Sequence, residues 1–341
     1  MADITNHTQL PTVQAIYDAY ERKPNRNRPH LGASEIGAAC DRYLWYSFHW
    51  CEAPSFEGRM LRLFDHGDVE EQRIIKDLRA IGATVYDVDP DTGRQFTFTA
   101  FNGHFGCSID GAVQGIPESG KWHLLEVKSI NDKGFGVLKR DGLEKANPKY
   151  WAQVQIGMEM SGLPRTLHLT TNKNTDDIYG ERIKPRQQEA QRLLDRAERV
   201  IFSEDPLERI SDRPDWYQCK FCDMHAICHQ GKAAAVNCRT CVHSTAERDG
   251  TWSCARHNVT LSVKKQRQGC DRHLMRPALV PAEPVDAGED WIQYDGWTNH
   301  CDGVHAGRHC YTSTEVRNAE RLPLEEGAED LRIAFDGDVE G

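Results

Sequence analysis

The chain has 341 residues, enough for two domains and a good-sized core. No apolar run reaches membrane length, and Met1-Ala2-Asp3-Ile4-Thr5 carries no basic-then-apolar signal, so a soluble, unsecreted, cytoplasmic protein without a membrane partner is expected; twelve cysteines there argue for metal ligation over disulfides. The net charge of −10 does not exclude a nucleic-acid partner, because residues 276–341 hold 5 Lys+Arg against 15 Asp+Glu, while residues 1–275 hold 37 of each sign.

Residues 11–22 read as a short amphipathic helix with Pro11 near its start. Lys23 to His30 is basic and proline-broken, so residues 1–30 form an N-terminal helix and arm. Ser34 is the expected N-cap of a helix running to Tyr46. A second, long helix is predicted over 57–82. Strands at 84–88 and 94–101 then lead into residues 104–130, around which the chain is organised.

In that stretch two apolar, β-branched runs flank the turn Pro117-Glu118-Ser119-Gly120, the signal of a β-hairpin. The first strand carries Asp110 and the second carries Glu126 and Lys128. Glu126 and Lys128 are two apart and share a face. Leu124, Leu125 and Val127 around them predict a central strand, where charges must be paired or bind a metal. Two carboxylates can hold one or two divalent ions, and a lysine beside them can orient or help deprotonate an attacking water. The pattern therefore suits metal-assisted phosphodiester hydrolysis. Oxygen ligands favour magnesium or manganese over zinc.

Residues 131–145 read as a Gly- and Lys-rich loop with Lys133, Lys139, Arg140 and Lys145. Pro148 opens a helix from Lys149 to Ser161, closed by Gly162-Leu163-Pro164. Strands follow at 166–171 and 178–183, then a charged amphipathic helix from Arg186 to Ile201. This order predicts an α/β fold, a mixed sheet with helices on its faces.

Asp110…Glu126-Val127-Lys128 resembles the motif of the PD-(D/E)XK nucleases. Over residues 31–230 the chain is similar to their RecB-like branch, which implies a restriction-endonuclease-like mixed sheet. Gly67-x-x-x-Glu71 matches the branch's additional ligand on a preceding helix, with Glu70 and His66 as competitors for that role. Tyr150-Trp151-Ala152-Gln153-Val154-Gln155 looks like its Gln/Tyr motif. That motif is most familiar as Gln-x-x-x-Tyr, whereas here Gly157 stands four after Gln153, so Gln153 and Gln155 both remain open for the glutamine role. The resemblance implies a metal-dependent, phage-encoded DNA exonuclease in recombination or DNA processing. Asp110, Glu126, the Val127 carbonyl and Glu71 would hold Mg2+ or Mn2+, and Lys128 would assist the water. Gln153 and Tyr150 would position the strand, while Gln155 and the basic segment with Lys139 and Arg140 would contact DNA. Partners would be DNA ends or single strands and a recombination or annealing protein. The alternative is a non-catalytic DNA-binding or adaptor protein on a nuclease scaffold.

Cys219-x2-Cys222-x5-Cys228 offers three thiolates and leaves one coordination position, which Cys40 could fill from upstream. One cysteine before the core and three after it resembles the iron–sulfur subgroup of the branch, which includes AddB-type helicase–nucleases and CRISPR-adaptation exonucleases. That implies a [4Fe–4S] cluster closing the ends of a nuclease domain at 31–235. Zinc on the same three cysteines with His225 or His229 competes. Cys51 and Cys107 read as small core residues. Cys238-x2-Cys241, Cys254 and Cys270, with His273 as alternate, form a zinc pattern in a module at 236–275. It would grip DNA backbone through Lys264-Lys265-Gln266-Arg267 or cap the core. Residues 276–341 read as an acidic extension: a linker at 277–290, an aromatic patch from Trp291 to Trp297, and Cys301, His305, His309 and Cys310 as a looser metal set.

Overall fold

The computed structural model describes residues 10–22, 27–302, 309–319 and 322. Its first part runs α1 (Pro11–Glu21), β1 (Leu31–Gly32), α2 (Asp41–Phe48), α3 (Gly58–Ala80), β2 (Thr84–Tyr86), β3 (Thr97–Ala100) and β4 (Phe105–Ser108). It continues with β5 (Gly111–Gln114), β6 (His123–Ile130), α4 (Asp132–Ala146), α5 (Pro148–Ser161), β7 (Thr166–Asn172), β8 (Ile178–Ile183) and α6 (Gln187–Phe202). The architecture is mixed α/β and falls into two compact units, residues 1–38 with 54–199 and residues 39–53 with 200–341. Among the described residues no helix is long and apolar enough to cross a membrane.

The first unit is built on a five-stranded sheet, order β2-β5-β6-β7-β8, in which only the β6–β7 pair is parallel. β6 is the middle strand, and both its faces are covered. That explains its unbroken apolar run, since a strand buried on both sides has no solvent face to alternate with. On one face α3 lays Ile74, Ile75 and Leu78 against Val85, Val113, Leu125, Val127 and Leu167. Those α3 positions recur at helical spacing, and most of the helix's other residues are exposed. α5 packs against the other face. A Cβ at Gly157 would lie 2.7 Å from Leu124 Cδ1, so the position where the familiar motif has tyrosine has no room for one.

Three expectations change here. The 104–116 run is not one hairpin strand: β4 pairs with β1 and β3 in a separate three-stranded sheet, and only β5 pairs with β6. Asp110 lies at the crossing between the sheets, next to Gly111, where a Cβ would approach Tyr86 O to 2.6 Å. Residues 131–145 are not a loop. Asn131 caps α4 by accepting from the Gly134 N–H at 2.9 Å, and Phe135, Leu138 and Leu143 bury one side of it. Gly142, at φ 73°, interrupts the helix and masked its periodicity. Ser34 caps no helix. Residues 33–37 form turns after β1, and the helix starts at Asp41, with Cys40 in the cap position.

The second unit contains α2, α7 (Tyr217–Lys220), α8 (His225–His229), β9 (Ser244–Ala246), β10 (Trp252–Cys254), β11 (Val259–Thr260) and α9 (Val263–Gln268). Arg239 lies at its centre, 1% exposed, its guanidinium 3.7 Å from the Trp50 ring centroid and 4.6 Å from that of Trp252. It donates to Gln266 Oε1 at 2.9 Å and to Phe48 O at 2.7 Å. The expected 277–290 linker is partly structured. β12 (Pro284–Ala287) joins β13 (Trp291–Tyr294), β14 (Trp297–His300) and β15 (Cys310–Tyr311) in a four-stranded sheet, followed by α10 (Ser313–Asn318). Arg317 ties that end to Glu52 by two bonds of 2.6 and 2.8 Å.

Candidate active site

β6 and the β4–β5 crossing bring the expected charges together. Gly111 pairs with Leu125, so Asp110 stands beside Glu126 across the ladder. Asp110 Oδ2 accepts from the Val127 N–H at 2.8 Å, which fixes the carboxylate against β6. Lys128 turns its ammonium back over the same place. Nζ meets Glu126 Oε1, donates to Val127 O at 3.2 Å, and lies 3.9 Å from Asp110 Oδ2. One cation is thus held by a carboxylate, a carbonyl and a second carboxylate. The Tyr150 ring of α5 covers it at 5.4 Å.

The electrostatics follow from burial. Glu126, 1% exposed, is pushed up to about 7, first by burial and then by Asp110 and Glu71, with Lys128 opposing. Burial alone would lower Lys128, yet Glu126 and Asp110 together hold it above its ordinary value. Glu71 is also raised to about 7, by burial and then by Asp110. Its charge therefore belongs to this cluster. Of its competitors, Glu70 is turned inward beside Arg73 at 3.6 Å and His66 is exposed.

The glutamines have different settings. Gln155 is buried, accepting from Arg186 N–H at 2.7 Å and donating to Lys184 O at 3.2 Å, so both ends of its amide hold the β8–α6 connection. Gln153 lies one helical turn after Tyr150, on the same side of α5, and its amide has no hydrogen-bond partner among the described residues. Lys139 and Arg140 lie on the exposed side of α4. Arg140 is engaged by Asp141 at 2.8 and 2.7 Å.

Sequence reasoning missed His168. It pairs with Glu126 across the β6–β7 ladder, is fully buried, and bonds Thr170 Oγ1 at 2.8 Å. Burial, then Lys128, lowers it to about 3, so it is neutral. With Thr170, Lys173 and Tyr150 it lines a cavity of about 310 Å3 between β7, α4 and α5. A lone histidine inside an apolar strand gave no signal beyond a core residue.

In the second unit, burial and then Cys228 and Cys40 raise the Cys219 thiol, and burial raises Cys222 to about 11 with Cys40 and Cys228 again beside it. His225 Nδ1 lies 2.9 Å from Cys219 O, whereas His229 Nε2 is buried without a hydrogen-bond partner. Cys238 is raised to about 12, by burial and then by Cys270, Cys241 and Cys254. His273 turns elsewhere, its Nε2 3.0 Å from Asn237 O and 3.3 Å from Thr240 Oγ1. Cys51 and Cys107 are buried. Among the described residues only His300, Cys301 and Asp302 bring three ligand atoms within 4.8 Å of one another; His305 lies outside those residues. His309 Nδ1 is 3.1 Å from the Tyr311 hydroxyl.

No protein-family model and no curated protein matches this sequence. Among solved structures, SSO0001 is similar with TM-score 0.38 and 14% identity, over 64% of this chain and 95% of its own. LHK-Exo in complex with dAMP is similar with TM-score 0.36 and 14% identity, over 55% and 90%. The alkaline exonuclease LHK-Exo from Laribacter hongkongensis is similar with TM-score 0.34 and 15% identity, over 55% and 90%.

Proposed function

We propose that the chain is a metal-dependent deoxyribonuclease of the PD-(D/E)XK type, on a restriction-endonuclease-like core, acting on DNA ends or single strands. The observation that carries this reading is the cage around Lys128 Nζ. Glu126, the Val127 carbonyl and Asp110 surround one cation with the hard oxygen donors that magnesium and manganese prefer. Glu71 adds a third carboxylate to the same field. Bound there, Mg2+ or Mn2+ would polarise the scissile phosphate and lower the pKa of the attacking water.

The side chains divide the remaining work. The Val127 N–H holds Asp110 in position, so its carboxylate need not reorganise when charge develops. Displaced by the ion, Lys128 would be free to orient the attacking water and offset charge on the phosphate, with the Tyr150 ring beside it. Gln153, with its amide unengaged, orients the strand. A role in recombination or DNA processing is the reading that the sequence resemblance supports.

The Cys40, Cys219, Cys222 and Cys228 set would hold a [4Fe–4S] cluster. Cys40 and Cys228 neighbour both other thiols, so four thiolates from the two ends of the core are at hand for such a cluster. Zinc on Cys219, Cys222, Cys228 and His229 is the second reading, favoured by the orphaned His229 Nε2. Cys238, Cys241, Cys254 and Cys270 would hold structural zinc, drawn together on binding.

The test is digestion of end-labelled linear and circular DNA, single- and double-stranded, with magnesium or manganese and an EDTA control. Metal-dependent release of label from linear DNA supports the reading. Intact DNA under every condition assigns the chain to the non-catalytic alternative.

A further inference from the structure

The first unit has a second concavity, a groove of about 550 Å3 between α1 and α3. Tyr17 and Tyr20 form its α1 wall, Arg59, Arg62 and His66 its α3 wall, and Lys173 one end. Gly58 N–H donates to Glu21 Oε1 at 2.6 Å, which pins the start of α3 to the end of α1 and fixes the groove's width. Among the described residues Arg59, Arg62 and Lys173 have no ion-pair or hydrogen-bonded side-chain partner, whereas the one acid in the lining, Asp65, accepts from the Tyr20 hydroxyl at 3.2 Å. Three cations against one carboxylate leave the groove net positive, a field that an anionic polymer would neutralise.

Lys173 also lines the 310 Å3 cavity beside Tyr150 and His168, so one side chain borders both the groove and that cavity. That cavity is the size of a small-molecule pocket.

We propose that the α1–α3 groove is a track for single-stranded DNA, its phosphates neutralised by Arg59, Arg62 and Lys173 and its bases laid against Tyr17 and Tyr20. The track depends on the nuclease reading for where it leads and not for whether it binds. Each base on an aromatic face contributes about 1–3 kcal/mol in single-strand binders, which suits recognition without sequence preference.

The experiment is equilibrium binding of a fluorescent single strand of roughly 16 nucleotides to the full chain in calcium, over a series of salt concentrations. The Arg59→Ala/Arg62→Ala double variant should lower the slope of log K against log salt by about 1.4, from two lost phosphate contacts, and weaken binding about tenfold or more. The charge-preserving Arg59→Lys/Arg62→Lys variant should restore the slope. Both sites are exposed, so circular dichroism should be unchanged. An unaltered slope in the alanine variant overturns the track. An equal loss for a duplex of the same length overturns its single-strand character. Wild-type cleavage is measured in parallel. A chain that cuts nothing but loses the slope refutes the nuclease reading and keeps the track, whereas one that cuts with an unaltered slope does the reverse.

Discussion

Proton competition should govern metal binding at the candidate centre. Glu126 and Glu71 are both raised to about 7, by burial first and then by Asp110 beside them. A divalent ion needs both as carboxylates. Between about pH 8 and pH 6 each group passes from mostly ionised to mostly protonated, so each should weaken Mn2+ binding about tenfold, and the two together about a hundredfold. The metal-free protein should behave oppositely. Both pKa values lie above the unfolded carboxylate value of 4.5, so the native state holds more protons between about 4.5 and 7. Stability without metal therefore falls as pH rises through that window. Glu126→Gln should remove Glu126's share of this loss, leaving that of Glu71, and abolish Mn2+ binding. The assay is Mn2+ titration by calorimetry at several pH values, paired with thermal melts with and without the ion. Mn2+ affinity that is flat across neutral pH, or that rises on acidification, refutes the reasoning.

Gln155→Ala should lower stability by about 1–2 kcal/mol by freeing Arg186 N–H and Lys184 O, with Mn2+ affinity unchanged in calorimetry. Gln153→Ala should leave the melting temperature alone and reduce cleavage. Gly111→Ala should cost about 1–3 kcal/mol, because its Cβ would meet Tyr86 O at 2.6 Å, and should weaken Mn2+ binding by displacing Asp110; thermal melts and titration check both effects. Anaerobically purified protein should be brown and contain iron, and Cys40→Ser should lose that iron, as metal analysis would show; colourless wild type with zinc in its place favours the Cys219–Cys222–Cys228–His229 set.

The elements that carry the site were legible where one periodicity dominated. α3 has an apolar stripe at helical spacing, α5 is bounded by Pro148 and Gly162, and the apolar run of β6 predicts a central strand, as found. The rest depended on long-range pairing. Nothing local distinguishes β4 from β5 as members of different sheets, because both are short apolar runs and the break falls at Ile109-Asp110. α4 was obscured by Gly134, Gly136 and Gly142, which lower helix propensity while Phe135 and Leu138 still anchor it. His168 stands beside Glu126 only through the parallel β6–β7 register, which pairs residues more than forty positions apart. Gln153 and Gln155 look equivalent in sequence. The packing of α5 against the 184–186 connection separates them, leaving one amide engaged and the other open.

The oxygen cage is tested most directly by removing its cation and one of its walls. Purified Lys128→Ala and Asp110→Ala variants should melt cooperatively and release no label from linear DNA in manganese, while the wild type digests it. Digestion at the wild-type rate by either variant would show that phosphodiester hydrolysis, if any, occurs elsewhere in the chain.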